Sequence, residues 1–187
     1  MAEADCMKAS AREDRTVKRA LGIVERRLRA VGPLLSDRAL VRQWLQLSLT
    51  GQDREMFGAL FLDKQMRLIT WEVLAVGTLS EAAVYPREII KAALRHGAAS
   101  LIIAHNHPSG VSEPSLADVS LTERLARALA LVDVRLVDHF IIGRGQPYSF
   151  TEAQLLPACL PPEKLQTSTK RARTVRTLRT GVGNVGG

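Results

Sequence analysis

His105 and His107 stand one residue apart in His105-Asn106-His107-Pro108-Ser109-Gly110, and Pro114-Ser115-Leu116-Ala117-Asp118 follows shortly after. Side chains at i and i+2 of an extended backbone project to the same side. Both imidazoles can therefore reach one ion with bonds of roughly 2.0–2.1 Å. Asp118, about one turn inside a following helix, can supply a third ligand. Three protein ligands leave a fourth tetrahedral position for water, which is how catalytic rather than structural zinc is held. The stretch reads as a site for one zinc ion on His105, His107 and Asp118.

The same residues also allow a plainer account. Ser115-Leu116-Ala117-Asp118 has the form of an N-cap serine with an acidic third residue, a helix start that needs no metal. Histidines beside a proline can be simple surface residues. What joins the pieces is their order, with apolar strand, paired histidines, tight loop and acid-bearing helix in one short stretch. Glu55 is the one acid at the start of an otherwise apolar strand. A carboxylate there can face a site at the sheet's rim or mark a solvated strand entry, and the residues alone leave both open. Asp138-His139, an Asp-His pair entering a strand, reads as structural on the residues alone. Arg87 reads as a salt-bridge anchor of a helix start, and His96 as a helix C-cap partner favoured by the dipole. Trp44 and Trp71 fall in apolar patterns and read as packing residues.

Elements must exist to position these groups. Val17, Leu21, Val24, Leu28 and Val31 recur every three or four residues, predicting an amphipathic helix that ends near Gly32-Pro33. Ser36 or Asp37 can cap a second helix with Leu40, Val41, Trp44 and Leu45 on its inner face. Residues 55–62 and 67–76 read as a hairpin around Asp63-Lys64-Gln65. A third helix is predicted from Ser80 or Glu81 to Gly97, carrying Ile89, Ile90, Ala93 and Leu94. Residues 100–104 have the length and apolar character of a buried strand that ends at His105. Two prolines and a glycine make 107–114 a loop. Ser115 then opens a helix lined by Leu116, Val119, Leu125 and Leu129. A strand over 134–142, a turn over 143–147, a short strand over 148–150 and a helical turn over 152–156 complete the pattern. Strands alternating with helices around an early hairpin predict an α/β fold, a single domain with a mixed β-sheet flanked by helices. That domain is expected over 36–157, after a helical extension over 1–35 and before a basic, disordered tail over 158–187.

The 187 residues suffice for one well-buried domain and are short for two. No apolar run nears the roughly 20 residues of a bilayer span, and residues 1–15 hold no signal-peptide core. A cytoplasmic protein with no membrane partner is expected. Two cysteines, Cys6 and Cys159, can make neither a four-thiolate metal site nor a disulfide framework. The net charge of +7 is unevenly placed: from Lys164 onward there are six cations and no acid, while residues 1–163 hold 20 cations against 19 acids. Such a tail can hold nucleic acid weakly by counterion release without reading sequence, or be a solvated extension only.

His-x-His-Pro at 105–108, six residues, then Ser-x-x-Asp at 115–118 resembles the JAMM motif of the JAB/MPN metalloproteases. The surrounding words look like the RadC-like branch: Gly-Thr-Leu-Ser-Glu-Ala at 77–82, Pro-Arg-Glu-Ile at 86–89, His-Asn-His-Pro-Ser-Gly at 105–110 and Asp-His-Phe-Ile-Ile-Gly at 138–143. The resemblance covers roughly residues 36–156. The stretch before Ser36 is short for the helix-hairpin-helix module of full-length RadC proteins, so the chain is more similar to the short forms associated with mobile elements. The resemblance implies a JAB/MPN, cytidine-deaminase-like fold and one Zn2+ on His105, His107 and Asp118. It further implies that Ser115 helps stabilise a tetrahedral oxyanion. Glu55, in Glu-Met-Phe-Gly-Ala-Leu-Phe-Leu-Asp, matches the family's catalytic glutamate. Asn106 departs from the serine or threonine of the deubiquitinating members, which weakens transfer of their isopeptide substrate.

The function expected is that of a zinc-dependent metallopeptidase-like hydrolase acting on an amide-type bond in a peptide or isopeptide of unspecified sequence. Glu55 would take the proton of the zinc-activated water and later return it to the leaving amine, while Ser115 hydrogen-bonds the oxyanion. Two further functions stand beside it. One is a DNA-associated repair or mobile-element factor, or a metallonuclease, whose direct support is the tail. The other is a non-catalytic MPN-type binding scaffold, against which the complete set of matched ligands speaks. The His-x-Glu and Pro-Cys-x-x-Cys of zinc deaminases and the His-Glu-x-x-His of other zinc proteases are absent from the sequence.

Overall fold

Odd-numbered residues of the strand after Glu55 pack to one side and even-numbered ones to the other, which sets the architecture. The computed structural model describes residues 2–30, 38–77 and 84–157. In chain order the elements are α1 (Ala2–Ala30), α2 (Arg38–Leu49), β1 (Met56–Leu62), β2 (Leu68–Val76), α3 (Pro86–Arg95), β3 (Ser100–Asn106), α4 (Leu116–Ala130), β4 (Arg135–Ile142) and β5 (Tyr148–Ser149). The five strands form one mixed sheet in the order β2-β1-β3-β4-β5. Among the described residues only the β3–β4 pair is parallel, with α4 as the crossover between them. The fold is a single α/β domain.

Each face of the sheet has its own core. Phe57, Ala59 and Phe61 of β1 join Leu101 and Ile103 of β3 beneath α3 and α4, against Ile89, Ala93, Leu125 and Leu129. Leu60, Leu62, Ile102, Ala104, Phe140 and Ile142 pack on the opposite face against Val41, Trp44, Leu45 and Leu49 of α2. Leu21 and Val24 of α1 cover the edge of this second core, and Trp44 meets Trp71 edge-on with ring centroids 5.3 Å apart. Every residue of β3 is buried, as expected for a strand with neighbours on both edges and helices on both faces. Gly58 is required by close approach rather than by a turn. The ring of Trp71 lies across β1 there, and a Cβ would stand 2.5 Å from two of its atoms.

Several expected boundaries shift. The first helix runs over Ala2–Ala30, beginning well before Val17. Ser36 and Asp37, expected to cap α2, lie outside the described residues, as do Ser80 and Glu81. The third helix starts at Pro86, because proline suits a first helical position, while Tyr85 before it is held extended at ψ 123°. β1 begins one residue after Glu55, and β3 carries through His105 to Asn106. Leu116, expected in the core, is 90% exposed. It is the first residue of α4, whose buried stripe of Asp118, Leu121, Thr122, Leu125 and Leu129 lies on another face. Residues 152–156 form hydrogen-bonded turns but no helix. Among the described residues, no helix is long and apolar enough to cross a membrane.

Candidate metal centre

The alternation along β3 decides what each residue of His-Asn-His does. His105 follows Leu101 and Ile103 onto the face covered by α4, and is fully buried. Asn106 turns the other way. Its Oδ1 accepts from the Met56 amide at 2.8 Å, and its amide nitrogen donates to the Arg54 carbonyl at 3.0 Å. Asn106 thus clamps the main chain on both sides of Glu55. His107 lies just past the strand, but its amide continues the ladder by donating to Ile142 O at 2.9 Å. The Nε2 atoms of His105 and His107 come within 2.9 Å of each other.

The loop brings Asp118 to the same point. Ser115 is the N-cap of α4 in a reciprocal capping box: its hydroxyl and amide donate to Asp118 Oδ2 at 2.6 and 2.8 Å, and the Asp118 amide donates back at 3.2 Å. This leaves Asp118 Oδ1 buried with no hydrogen-bond donor among the described residues. It faces His105 Nε2 at 3.2 Å, while Oδ2 lies 3.6 Å from His107 Nε2. Glu55 approaches from β1, with Oε1 3.9 Å from His105 Nε2. Glu55, His105 and His107 present ligand atoms that all lie within 4.8 Å of one another, a group that can hold a metal ion. The helix cap and the ligand reading of Asp118 are thus compatible, because they use different carboxylate oxygens. The bare Oδ1 beside two imidazole nitrogens is a nitrogen–oxygen donor set that fits zinc. The five site residues expected from sequence converge, with Ser115 bonded to Asp118 rather than aimed into the site.

Charge agrees with the geometry. Burial opposes ionisation of Asp118, but the adjacent imidazoles of His105 and His107 and the Ser115 hydroxyl outweigh it and hold the carboxyl far below its usual range. Asp118 in turn raises His107 above the ordinary histidine value, against burial and with help from the Val111 carbonyl and Glu55.

A second ring of contacts holds His105 from behind. His105 Nδ1 lies 2.9 Å from Nε2 of His139, whose Nδ1 lies 2.7 Å from the Thr122 hydroxyl. Thr122 donates to the Asp118 carbonyl at 2.6 Å. Asp138 plays a different part, accepting from the amides of His139 and Thr151 and from the Ser149 hydroxyl to tie β4 to β5. Sequence reasoning singled out His139 without fixing its role and passed over Thr122. The available signals were a polar residue four after Asp118 on an apolar helix face, and a histidine in the strand after that helix. Arg87 does pair with Glu88, at 3.3 Å, but on the surface and over the Tyr85 ring.

A cleft of about 410 Å³ opens beside His107, lined by Gln52, Asp53, Asn106, Pro108, Gly110 and Arg144 among others. Gly110, at φ +87°, forms a flat wall against which the Arg144 stem rests; a Cβ there would stand 2.7 Å from it.

A mixed sheet between helices, with two histidines at the rim of a central strand and an aspartate at the N-terminus of the crossover helix, defines a JAB-type domain. The chain belongs to the RadC-like JAB domain family, whose model matches residues 35–155. It is 49% identical over 142 residues to the UPF0758 protein YfjY of Escherichia coli (strain K12), covering 76% of this chain and 89% of that one. It is 55% identical over 116 residues to a UPF0758 protein of Marinomonas sp. (strain MWYL1), and 54% identical over 120 residues to one of Azotobacter vinelandii (strain DJ). These matches cover 62% and 64% of this chain but 52% and 54% of the relatives, so the chain spans about half the length of those two proteins.

Proposed function

We propose that the chain is a zinc-dependent, metallopeptidase-like hydrolase acting on an amide-type bond. The observation that carries this reading is the meeting of four side chains from three separate segments at one sheet rim: His105 and His107, Asp118 with its bare Oδ1, and Glu55. His105, His107 and Asp118 would hold the ion. Zinc, when bound, supplies a Lewis acid and a water acidified toward pKa roughly 7.

The chain's own residues supply the rest. Glu55, clamped through Asn106, takes the proton of the attacking water and returns it to the leaving amine. Ser115 is the donor assigned to the developing oxyanion. For that, its hydroxyl must exchange Asp118 Oδ2 for the substrate oxygen, while its amide keeps the carboxylate in place.

The test is zinc content by atomic spectroscopy in wild type and His107→Ala, combined with cleavage of peptide and isopeptide libraries by wild type and Glu55→Gln. Near-stoichiometric zinc in wild type, lost in His107→Ala, is expected. Glu55→Gln should keep the zinc and lose about 100-fold or more in cleavage rate. Negligible zinc in both proteins, or equal cleavage by Glu55→Gln, would overturn the assignment.

A further inference from the structure

A histidine ligates metal only through a nitrogen that carries no proton, so something must decide which of its two nitrogens is bare. The hydrogen bonds behind His105 make that decision. Thr122 has one hydroxyl proton, and the Asp118 carbonyl oxygen 2.6 Å away can only accept, so the proton goes there. Toward His139 the hydroxyl is then an acceptor, and His139 Nδ1, 2.7 Å away, carries the proton. The His139 ring is fully buried, stacked on Phe150 and edge-on to Phe57. No carboxylate hydrogen-bonds to it among the described residues, so the ring is neutral and its Nε2 is an acceptor. His105 Nδ1, 2.9 Å from that atom, must donate to it. A neutral His105 therefore turns the bare lone pair of Nε2 toward His107, Asp118 and Glu55. His107 Nδ1 likewise donates, to the Val111 carbonyl at 2.7 Å.

We propose that Thr122 and His139 are positioning residues that fix His105 in the tautomer whose Nε2 is open to a metal ion. The chain of bonds closes a ring. It runs from the Asp118 carbonyl through Thr122 and His139 to His105, whose Nε2 again faces the Asp118 carboxylate. One residue of α4 thus supplies a ligand with its side chain and, with its main chain, sets the protonation of another. The His139 imidazole, itself held by Thr122, does here what a carboxylate or carbonyl usually does behind a metal-bound histidine. The tautomer assignment stands on the protein alone, whereas its use in metal capture rests on the zinc reading above.

Long-range 1H–15N correlation of the histidine rings in the metal-free full chain tests the tautomers directly. Protons on Nδ1 of both His105 and His139 are expected in wild type, and a proton on Nε2 of either overturns the proposal. Thr122→Val removes the acceptor with little change of shape. It should release His139 from its tautomer and weaken zinc binding about 10- to 100-fold in competition with a chromophoric chelator. Thr122→Ser should return both readouts to near wild type. A folded Thr122→Val protein with wild-type ring shifts and zinc affinity would overturn the relay. A wild-type chain that binds no zinc yet shows both Nδ1 protons would support the relay and overturn the zinc reading. If Thr122→Val does not fold, the wild-type ring shifts still decide.

Discussion

Asn106 stands between two metal-site histidines in sequence and faces away from both of them. Its side chain satisfies Met56 N and Arg54 O on either side of Glu55, so it positions the acid rather than the histidines. Asn106→Ala strands a main-chain donor and an acceptor in a partly buried place, which costs about 1–3 kcal/mol. It should also lower cleavage more than zinc affinity, because Glu55 loses its anchor while the ligands keep theirs. Thermal unfolding, zinc titration and single-turnover cleavage on the same variant separate these effects. Division of labour within one residue recurs at Asp118, whose Oδ2 caps α4 while Oδ1 faces the histidines.

At the scale of elements, the site depends on strands and a helix arriving in register. Phe57 pairs with His105 across β1 and β3, which brings Glu55, two residues before Phe57, to the level of the His105–His107 pair. The parallel β3–β4 pairing sets Ile103 opposite His139, two residues before His105 on the same face. β1 is held in turn by β2, whose Trp71 ring lies against Gly58. In Gly58→Ala the new methyl meets the Trp71 ring at 2.5 Å and the Glu72 carbonyl at 2.8 Å. The strands must part or the ring must move, with an expected loss of about 1–3 kcal/mol in chemical denaturation. Because β1 leads directly from Glu55, cleavage should fall in this variant even where the protein stays folded.

For the molecule as a whole, a titratable polar tie links the sheet's outer edge to α3. Glu72 of β2 accepts from Arg95 at 2.6 and 2.7 Å and lies 2.7 Å from Nε2 of His96, at the end of α3. The His96 bond first, and then the Arg95 bond, hold the Glu72 carboxyl below its ordinary value of 4.5. A depressed carboxyl pKa stabilises the fold above the unfolded value, and that contribution is lost as pH falls through the folded value. Glu72→Gln should therefore melt earlier than wild type at neutral pH and converge with it once the medium is acidic enough to protonate Glu72. The partly exposed pair limits the difference to under about 1 kcal/mol, readable in melting curves taken across pH. The charge of the chain is a separate matter: six of its cations lie from Lys164 onward, outside the described residues.

The kinds of element and the candidate site residues His105, His107 and Asp118 were legible in the sequence, since both are local. The 3.6 and 2.0 periodicities, the Pro/Gly loop, the capping serine and His-x-His all lie within short stretches of chain. The start of the third helix was less legible, because proline places it at Pro86, and so was the facing of Leu116, where exposure depends on which way the helix is rolled. Only the tertiary structure decided what meets what. That Glu55 reaches a site some fifty residues away depends on the register of β1 on β3. That Thr122 and His139 govern the proton on His105 depends on α4 crossing between two parallel strands. Pairings of that span are fixed by packing on both faces of the sheet, and no window of sequence contains them.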